Sequence, residues 1–101
     1  MRPVAFSPNV AVDLAEAAAW YDRQQLGLGD RFLAEFRKSV SRIAHAGSAL
    51  RKVHGEFRHL PLERFPYLVY FREDGDGFFV ALVINAARDP ALIINLLTER
   101  P

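Results

Sequence analysis

The sequence predicts an α+β fold in which an N-terminal short strand and an antiparallel helical hairpin pack on a three- to four-stranded antiparallel sheet. The chain of 101 residues fits one domain, residues 1–101, because this length supports a single hydrophobic core. In the first half, apolar residues recur every three or four positions, which is the helical period. In the second half they alternate or form continuous runs, which is typical of strands.

The N-terminal segment predicts a short strand followed by a first helix. Val4–Phe6 is an apolar run that ends at Ser7, a good N-cap residue, and Pro8 suits the first helical position. The helix is expected over residues 8–25. Its apolar stripe consists of Ala11, Leu14, Ala18 and Tyr21.

A second helix is expected after the glycines of the Gly27-Leu28-Gly29 segment, with Asp30 as its N-cap and its end near residue 46. The short connection makes the two helices an antiparallel hairpin. The predicted buried seam is Leu33, Phe36, Val40 and Ile43, and the predicted polar face is Arg31, Glu35, Lys38 and Arg42.

Three strands are expected over residues 57–62, 67–72 and 78–85. A turn rich in glycine and aspartate, residues 73–77, joins the last two as a hairpin. Because the third strand is apolar on both faces, it is expected in the centre of the sheet. The tail, residues 90–97, is also apolar, and its pattern is compatible with a strand or a short helix.

Composition narrows the classes of function. The chain has no cysteine, which excludes disulfides and thiolate metal sites and suits the cytoplasm. No stretch approaches the roughly 18 apolar residues of a membrane helix, so no membrane association is expected. Residues 31–72 hold nine basic and three acidic side chains. This basic half either faces nucleic acid or an acidic peptide, or is a solvated surface with uneven charge.

No metal site or cofactor is predicted, because the three histidines lack metal-ligand spacing and no glycine-rich nucleotide loop is present. The candidate site residues are arginines near strand ends, namely Arg58, Arg64, Arg72 and Arg88. Arginine suits bidentate phosphate contact, although the same side chains can bridge strand ends to carboxylates such as Glu63. His59 is a candidate general acid or base, or a structural strand residue.

Several segments together resemble one family. They are Ser7-Pro8, residues 13–17, Trp20-Tyr21, Gly27-Leu28-Gly29, Phe32-Leu33, the run from Arg58 to Phe71 and Ala87-Arg88-Asp89-Pro90. In order and spacing they are similar to the plasmid-stabilisation branch of the RelE/ParE toxins of type II toxin–antitoxin systems. The resemblance covers nearly the whole chain.

The resemblance implies a growth-inhibiting toxin that a cognate antitoxin protein neutralises by wrapping it. RelE-like members cleave messenger RNA on the ribosome, and ParE-like members inhibit DNA gyrase. By resemblance, Arg58 and Arg88 fall where RelE-like enzymes place phosphate-binding, catalytic arginines. An arginine at the position of Arg64 is typical of the family. Arg64, His59 and Arg72 are expected to contact the target.

Three departures from the nuclease pattern favour ParE-like action on DNA gyrase. No tyrosine, histidine or lysine follows Arg88, Asn85 stands where many relatives have histidine, and the tail lacks a tryptophan near Ile93. The alternatives are a RelE-like ribosome-dependent mRNA endoribonuclease and a non-toxic antitoxin-binding remnant. The apolar tail is expected to close the protein's own core, form a homodimer or bind the antitoxin.

Overall fold

The computed structural model describes residues 1–100, which form five strands and three α-helices. The order is β1 (Val4–Phe6), α1 (Asn9–Gln24), α2 (Leu28–Ala46), β2 (Lys52–His54), β3 (Phe57–Pro61), β4 (Tyr67–Asp74), β5 (Gly77–Asn85) and α3 (Pro90–Glu99). A short 3-10 turn, Gly47–Ala49, follows α2. Within these residues, no helix has both the length and the apolar character that crossing a membrane requires.

The predicted α+β class and helical hairpin are confirmed, but the sheet has five strands and is mixed. Its order is β1-β5-β4-β3-β2. β1 runs parallel to β5, with Ser7 N donating to the Val80 carbonyl at 2.8 Å, and the other neighbours are antiparallel. The extra strand is β2, which has three residues and no apolar alternation to reveal it. Because β2 pairs with β3, β3 lies inside the sheet and β2 forms its edge.

A bulge shifts the alternation of β5, and the sheet carries a core on each face. Tyr70 pairs with Leu82 and Phe71 pairs with Val80, so Ala81 is the additional residue. On one face, strand residues such as Phe71 pack under the helical hairpin, and the other face is covered by α3 through Ile93 and Leu97. The tail is therefore a helix, and it closes the protein's own core.

The hairpin is closed by Asp22 at the end of α1. Its Oδ1 accepts hydrogen bonds from the backbone N–H of Gly27 at 3.2 Å and of Gly29 at 2.8 Å. Gly27 adopts the left-handed conformation, with φ of 95°, which lets the chain reverse. The prediction of Asp30 as N-cap is wrong, because α2 already begins at Leu28 and takes its capping carboxylate from the preceding helix.

The buried row of α2 is displaced from the predicted seam. Phe32, Phe36, Ser39 and Ile43 are buried, whereas Leu33 and Val40 are half-buried. The displacement carries Glu35 inward, and only 7% of this residue is exposed. The prediction that Glu35 lies on the polar face is therefore wrong.

Candidate functional site

The face of the sheet under α3 carries a groove of about 380 Å³, here called the histidine groove. Its polar lining includes Arg51, His54, His59 and Arg88, and much of its apolar wall comes from α3. Side chains alternate along β3, so His59 faces α3 together with its cross-strand partner Tyr70. The loop after β5 brings Arg88 to the same groove.

His59 is held as a neutral imidazole. Its ring stands edge-on to Tyr70 with 5.2 Å between the ring centroids, and its Nδ1 is buried with no hydrogen-bond partner among residues 1–100. Burial lowers the pKa of His59, and the nearby positive charge of Arg51 lowers it further. At neutral pH the ring is thus able to accept a proton, although Arg51 and Arg88 line the same groove.

Stability is expected to fall in mild acid because of His59. The unfolded histidine takes up a proton near pH 6.5 and the folded one only at lower pH, so stability is lost as the pH falls from about 6.5 through the folded pKa. Urea unfolding at a series of pH values should show this slope, and His59→Gln should flatten it. His45→Gln, which changes an exposed histidine on α2, is the control and should keep it. An unchanged slope in His59→Gln contradicts the assignment.

Arg58 lies on the opposite face of the sheet from the histidine groove. It pairs in register with Phe71, which belongs to the core under the hairpin. Its Nε donates to the Leu50 carbonyl at 2.6 Å, its Nη1 is 3.8 Å from Glu73 Oε2, and only 11% of its side chain is exposed. Hydrogen bonds from Ser48 and Arg2 lower the pKa of Glu73 and keep it charged. Arg58 is thus occupied by the protein's own groups.

The other predicted site residues are dispersed. The Arg88 guanidinium is exposed and forms no hydrogen bond or ion pair with residues 1–100. Arg72 lies over the Phe79 ring at 4.7 Å and is 3.7 Å from Asp74, outside the groove lining. Arg64 lies in the loop between β3 and β4, beside a different cavity. Of the five predicted site residues, only His59 and Arg88 line the histidine groove.

Arg51 and His54 were missed from the sequence. Arg51 directly precedes β2 and His54 is its last residue, and this strand is too short to be recognised by alternation. The available signal was the spacing of three basic side chains at positions 51, 54 and 59 around a glycine turn, which is typical of one end of a hairpin.

A second groove of about 620 Å³, here called the edge groove, follows β5 between α1 and α3. Since β1 covers β5 only at residues 78–80, residues 81–85 have no strand on that side. Trp20, Arg23 and Arg88 line the groove, and Trp20 is 49% exposed. An exposed indole beside two cations and a strand edge is a surface suited to binding a peptide.

The chemistry open to the histidine groove is acid–base and anion binding. A neutral imidazole near guanidinium groups is able to take a proton from a hydroxyl while the cations hold a phosphate. Among residues 1–100, no three histidine, cysteine, aspartate or glutamate side chains are grouped as metal ligands.

No family model matches the chain, and no curated protein sequence matches it. Among solved structures, the chain is similar to one titled "Chromosomal ParDE TA system from P. aeruginosa", with a TM-score of 0.74 and 18% sequence identity. The match covers 84% of this chain and 96% of that one. The structural likeness shows that the chain shares the fold of that ParDE-system chain, as the sequence resemblance predicts.

Proposed function

We propose that this chain is the toxin component of a type II toxin–antitoxin system, acting in the cytoplasm as a growth inhibitor that a cognate antitoxin neutralises. The observation that carries the proposal is the likeness to a chain of a ParDE system over 96% of that chain's length. The resemblance of the sequence segments to the same group of toxins supports it independently.

The edge groove is the proposed docking site of the antitoxin. An extended segment can lie along β5 beyond Val83, since Asp13 and Arg100 already occupy Val83 N and the Ala81 carbonyl, and can cover Trp20 with an apolar side chain. A segment that orders only on binding suits this surface, because it can follow the shape of the groove between α1 and α3.

The proposed action is ParE-like inhibition of DNA gyrase by binding. Support comes from the two arginines that the resemblance assigns to RNA cleavage. Arg58 is occupied by Leu50 and Glu73, and Arg88 belongs to the opposite face of the sheet, so the two side chains do not converge on one phosphate. The absence of tyrosine, histidine and lysine after Arg88 also favours inhibition by binding over RNA cleavage.

A supercoiling assay with purified gyrase tests this action. Added protein is expected to inhibit supercoiling or to accumulate gyrase–DNA cleavage complexes, and the cognate antitoxin should restore activity. Unchanged supercoiling with no cleavage complexes, at protein in large excess over gyrase, would refute gyrase as the target.

The histidine groove supports a second candidate function, ribosome-dependent cleavage of mRNA. Neutral His59 would take the proton of a 2′-hydroxyl, whose oxygen attacks the adjacent phosphorus to form a 2′,3′-cyclic phosphate. Arg51 and Arg88 would hold the phosphate oxygens, and His54 would return a proton to the departing 5′-oxygen.

Toeprinting on a translated message tests the nuclease. New cleavage ends should appear with the protein and disappear with His59→Gln, whereas His45→Gln, outside the groove, should leave them unchanged. Absence of new ends with the unmodified protein rejects this candidate.

A further inference from the structure

One arginine joins the histidine groove and the edge groove. Arg88 lies in the loop after β5, and among residues 1–100 it is the one residue that lines both grooves. Its side chain is exposed and forms no hydrogen bond or ion pair within those residues. Because the two grooves meet at Arg88, one extended molecule is able to occupy both of them.

Trp20 presents an aromatic platform in the edge groove. It is the single tryptophan of the sequence, and 49% of it is exposed. Its ring stands perpendicular to the ring of Tyr21, with 5.0 Å between the centroids, and Tyr21 in turn stacks on the buried Phe32. The core thus holds the indole in place while about half of its surface stays open to solvent. A flat ring that lies against the indole gains contact area without first ordering a mobile side chain.

Cations without partners accompany the indole. Arg23 follows Trp20 by three residues, which places both on one side of α1, and its guanidinium forms no hydrogen bond or ion pair within residues 1–100. Arg88 supplies a second free guanidinium in the same groove. Beyond Arg88, the histidine groove adds Arg51, and its lining includes no carboxylate. The joined surface therefore attracts anions along its length.

Two carboxylates also line the edge groove, and one of them is neutralised. Asp13 forms its two-pronged ion pair with Arg100, at 2.6 and 2.8 Å. Glu16 is then the carboxylate that opposes Arg23 and Arg88. Three arginines against two carboxylates leave the lining with a net charge of +1, so the groove stays favourable for an anion next to the indole.

We propose that the edge groove is a base-stacking subsite for single-stranded RNA, in which one nucleobase lies on Trp20 and the adjoining phosphates contact Arg23 and Arg88. Single-stranded nucleic acid alternates flat bases with anionic phosphates, which matches an indole set among cations. From Arg88 the strand would continue into the histidine groove. The inference rests on the second candidate function, to which it adds a binding contact outside the cleavage site. The antitoxin segment that is proposed to cover Trp20 would compete with RNA for the indole.

Quenching of the single tryptophan tests this contact. A six-nucleotide single strand with 2′-O-methyl sugars keeps the bases and phosphates, but it has no free 2′-hydroxyl and so is not cleaved. It should bind the full chain saturably and quench the fluorescence of Trp20. Two probes of equal charge serve as comparisons, an oligonucleotide of the same length without bases and a blocked peptide of five aspartates and one phenylalanine. Both should bind at least about tenfold more weakly, because neither combines nucleobases with phosphates.

Matched variants locate the site, with the anisotropy of an end-labelled oligonucleotide as the readout. Trp20→Leu should weaken binding about tenfold, whereas Leu26→Ala, at an exposed apolar residue outside both grooves, should have little effect. Arg88→Gln should weaken binding and lower the slope of log Kd against log salt by about one. Arg37→Gln, at an exposed arginine of α2 outside both grooves, should leave that slope unchanged.

Four results would overturn the proposal. They are failure of the oligonucleotide to bind at millimolar concentration, binding without quenching of Trp20, equal binding of either comparison probe, and unchanged affinity in Trp20→Leu. Absence of cleavage in the toeprinting assay rejects the nuclease alone, because the quenching assay uses a strand that is not cleaved. Cleavage without quenching refutes the subsite alone, so the two failures are distinguishable.

Discussion

Replacing Arg100 with alanine is expected to lower the free energy of unfolding by about 3 kcal/mol. Arg100 forms a two-pronged ion pair with Asp13 of α1, at 2.6 and 2.8 Å, and its side chain is 13% exposed. The same two residues hydrogen-bond to the open part of β5, since Asp13 accepts from Val83 N and Arg100 donates to the Ala81 carbonyl. Loss of the arginine leaves a nearly buried carboxylate without its cation and frees the end of α3.

Urea unfolding of a double-mutant cycle measures this pair. Asp13→Asn keeps an acceptor for Val83 N. Combining it with Arg100→Met should therefore recover part of the free energy of unfolding that Arg100→Met alone loses. The coupling energy of the pair should exceed about 1 kcal/mol. The control pair is Lys52 and Glu56, which is also within hydrogen-bond distance at 2.9 Å but exposed, and should contribute less than about 0.5 kcal/mol. Similar coupling energies for the two pairs would mean that burial does not strengthen the ion pair between Arg100 and Asp13.

Gly29→Ala is expected to destabilise the fold by about 1–2 kcal/mol, although alanine is intrinsically the better helix former. A Cβ atom at Gly29 would lie 2.6 Å from the Ala18 carbonyl oxygen and 2.7 Å from Asp22 Oδ2. The backbone oxygen belongs to α1 and cannot rotate away, so the two helices would have to separate and the capping bond from Gly29 N to Asp22 would lengthen.

Thermal and urea unfolding of Gly29→Ala decide between the opposing effects. Helix propensity alone predicts a gain of about 1 kcal/mol, and the close approach predicts a loss. Ser41→Ala, at an exposed position of the same helix, should give a small gain and serves as the control. A gain in Gly29→Ala would contradict the tight closure of the hairpin.

Local patterns were sufficient to predict most elements of this fold. β1 was predicted with its observed bounds, and α1 and β5 to within a residue at each end, because capping residues, period and glycine turns lie within a few positions of each other. The parallel pairing of β1 with β5 joins segments more than seventy residues apart, and no local pattern encodes it. β2 was missed because three residues do not define an alternation.

The site residues were harder to predict, since their roles depend on neighbours from other elements. Arg58 has no acidic residue in its own strand, and the sequence could not reveal that Glu73 and the Leu50 carbonyl would occupy it. Glu35 resembles a surface residue by its spacing, and only the displaced packing of α2 against Phe32 and Phe36 buries it. His59 and Arg88 were predicted separately, and it is the path of the loop after β5 that places them in one groove.

Induced expression in growing bacteria tests the toxin assignment most directly, with and without the product of the neighbouring gene, where the resemblance implies that the antitoxin is encoded. The chain alone is expected to arrest growth, and co-expression of the neighbouring gene product is expected to restore it and to yield a stable complex with the chain. Normal growth on induction of the folded chain, confirmed by its presence in the cell extract, would contradict the assignment and identify a non-toxic protein that keeps the toxin fold.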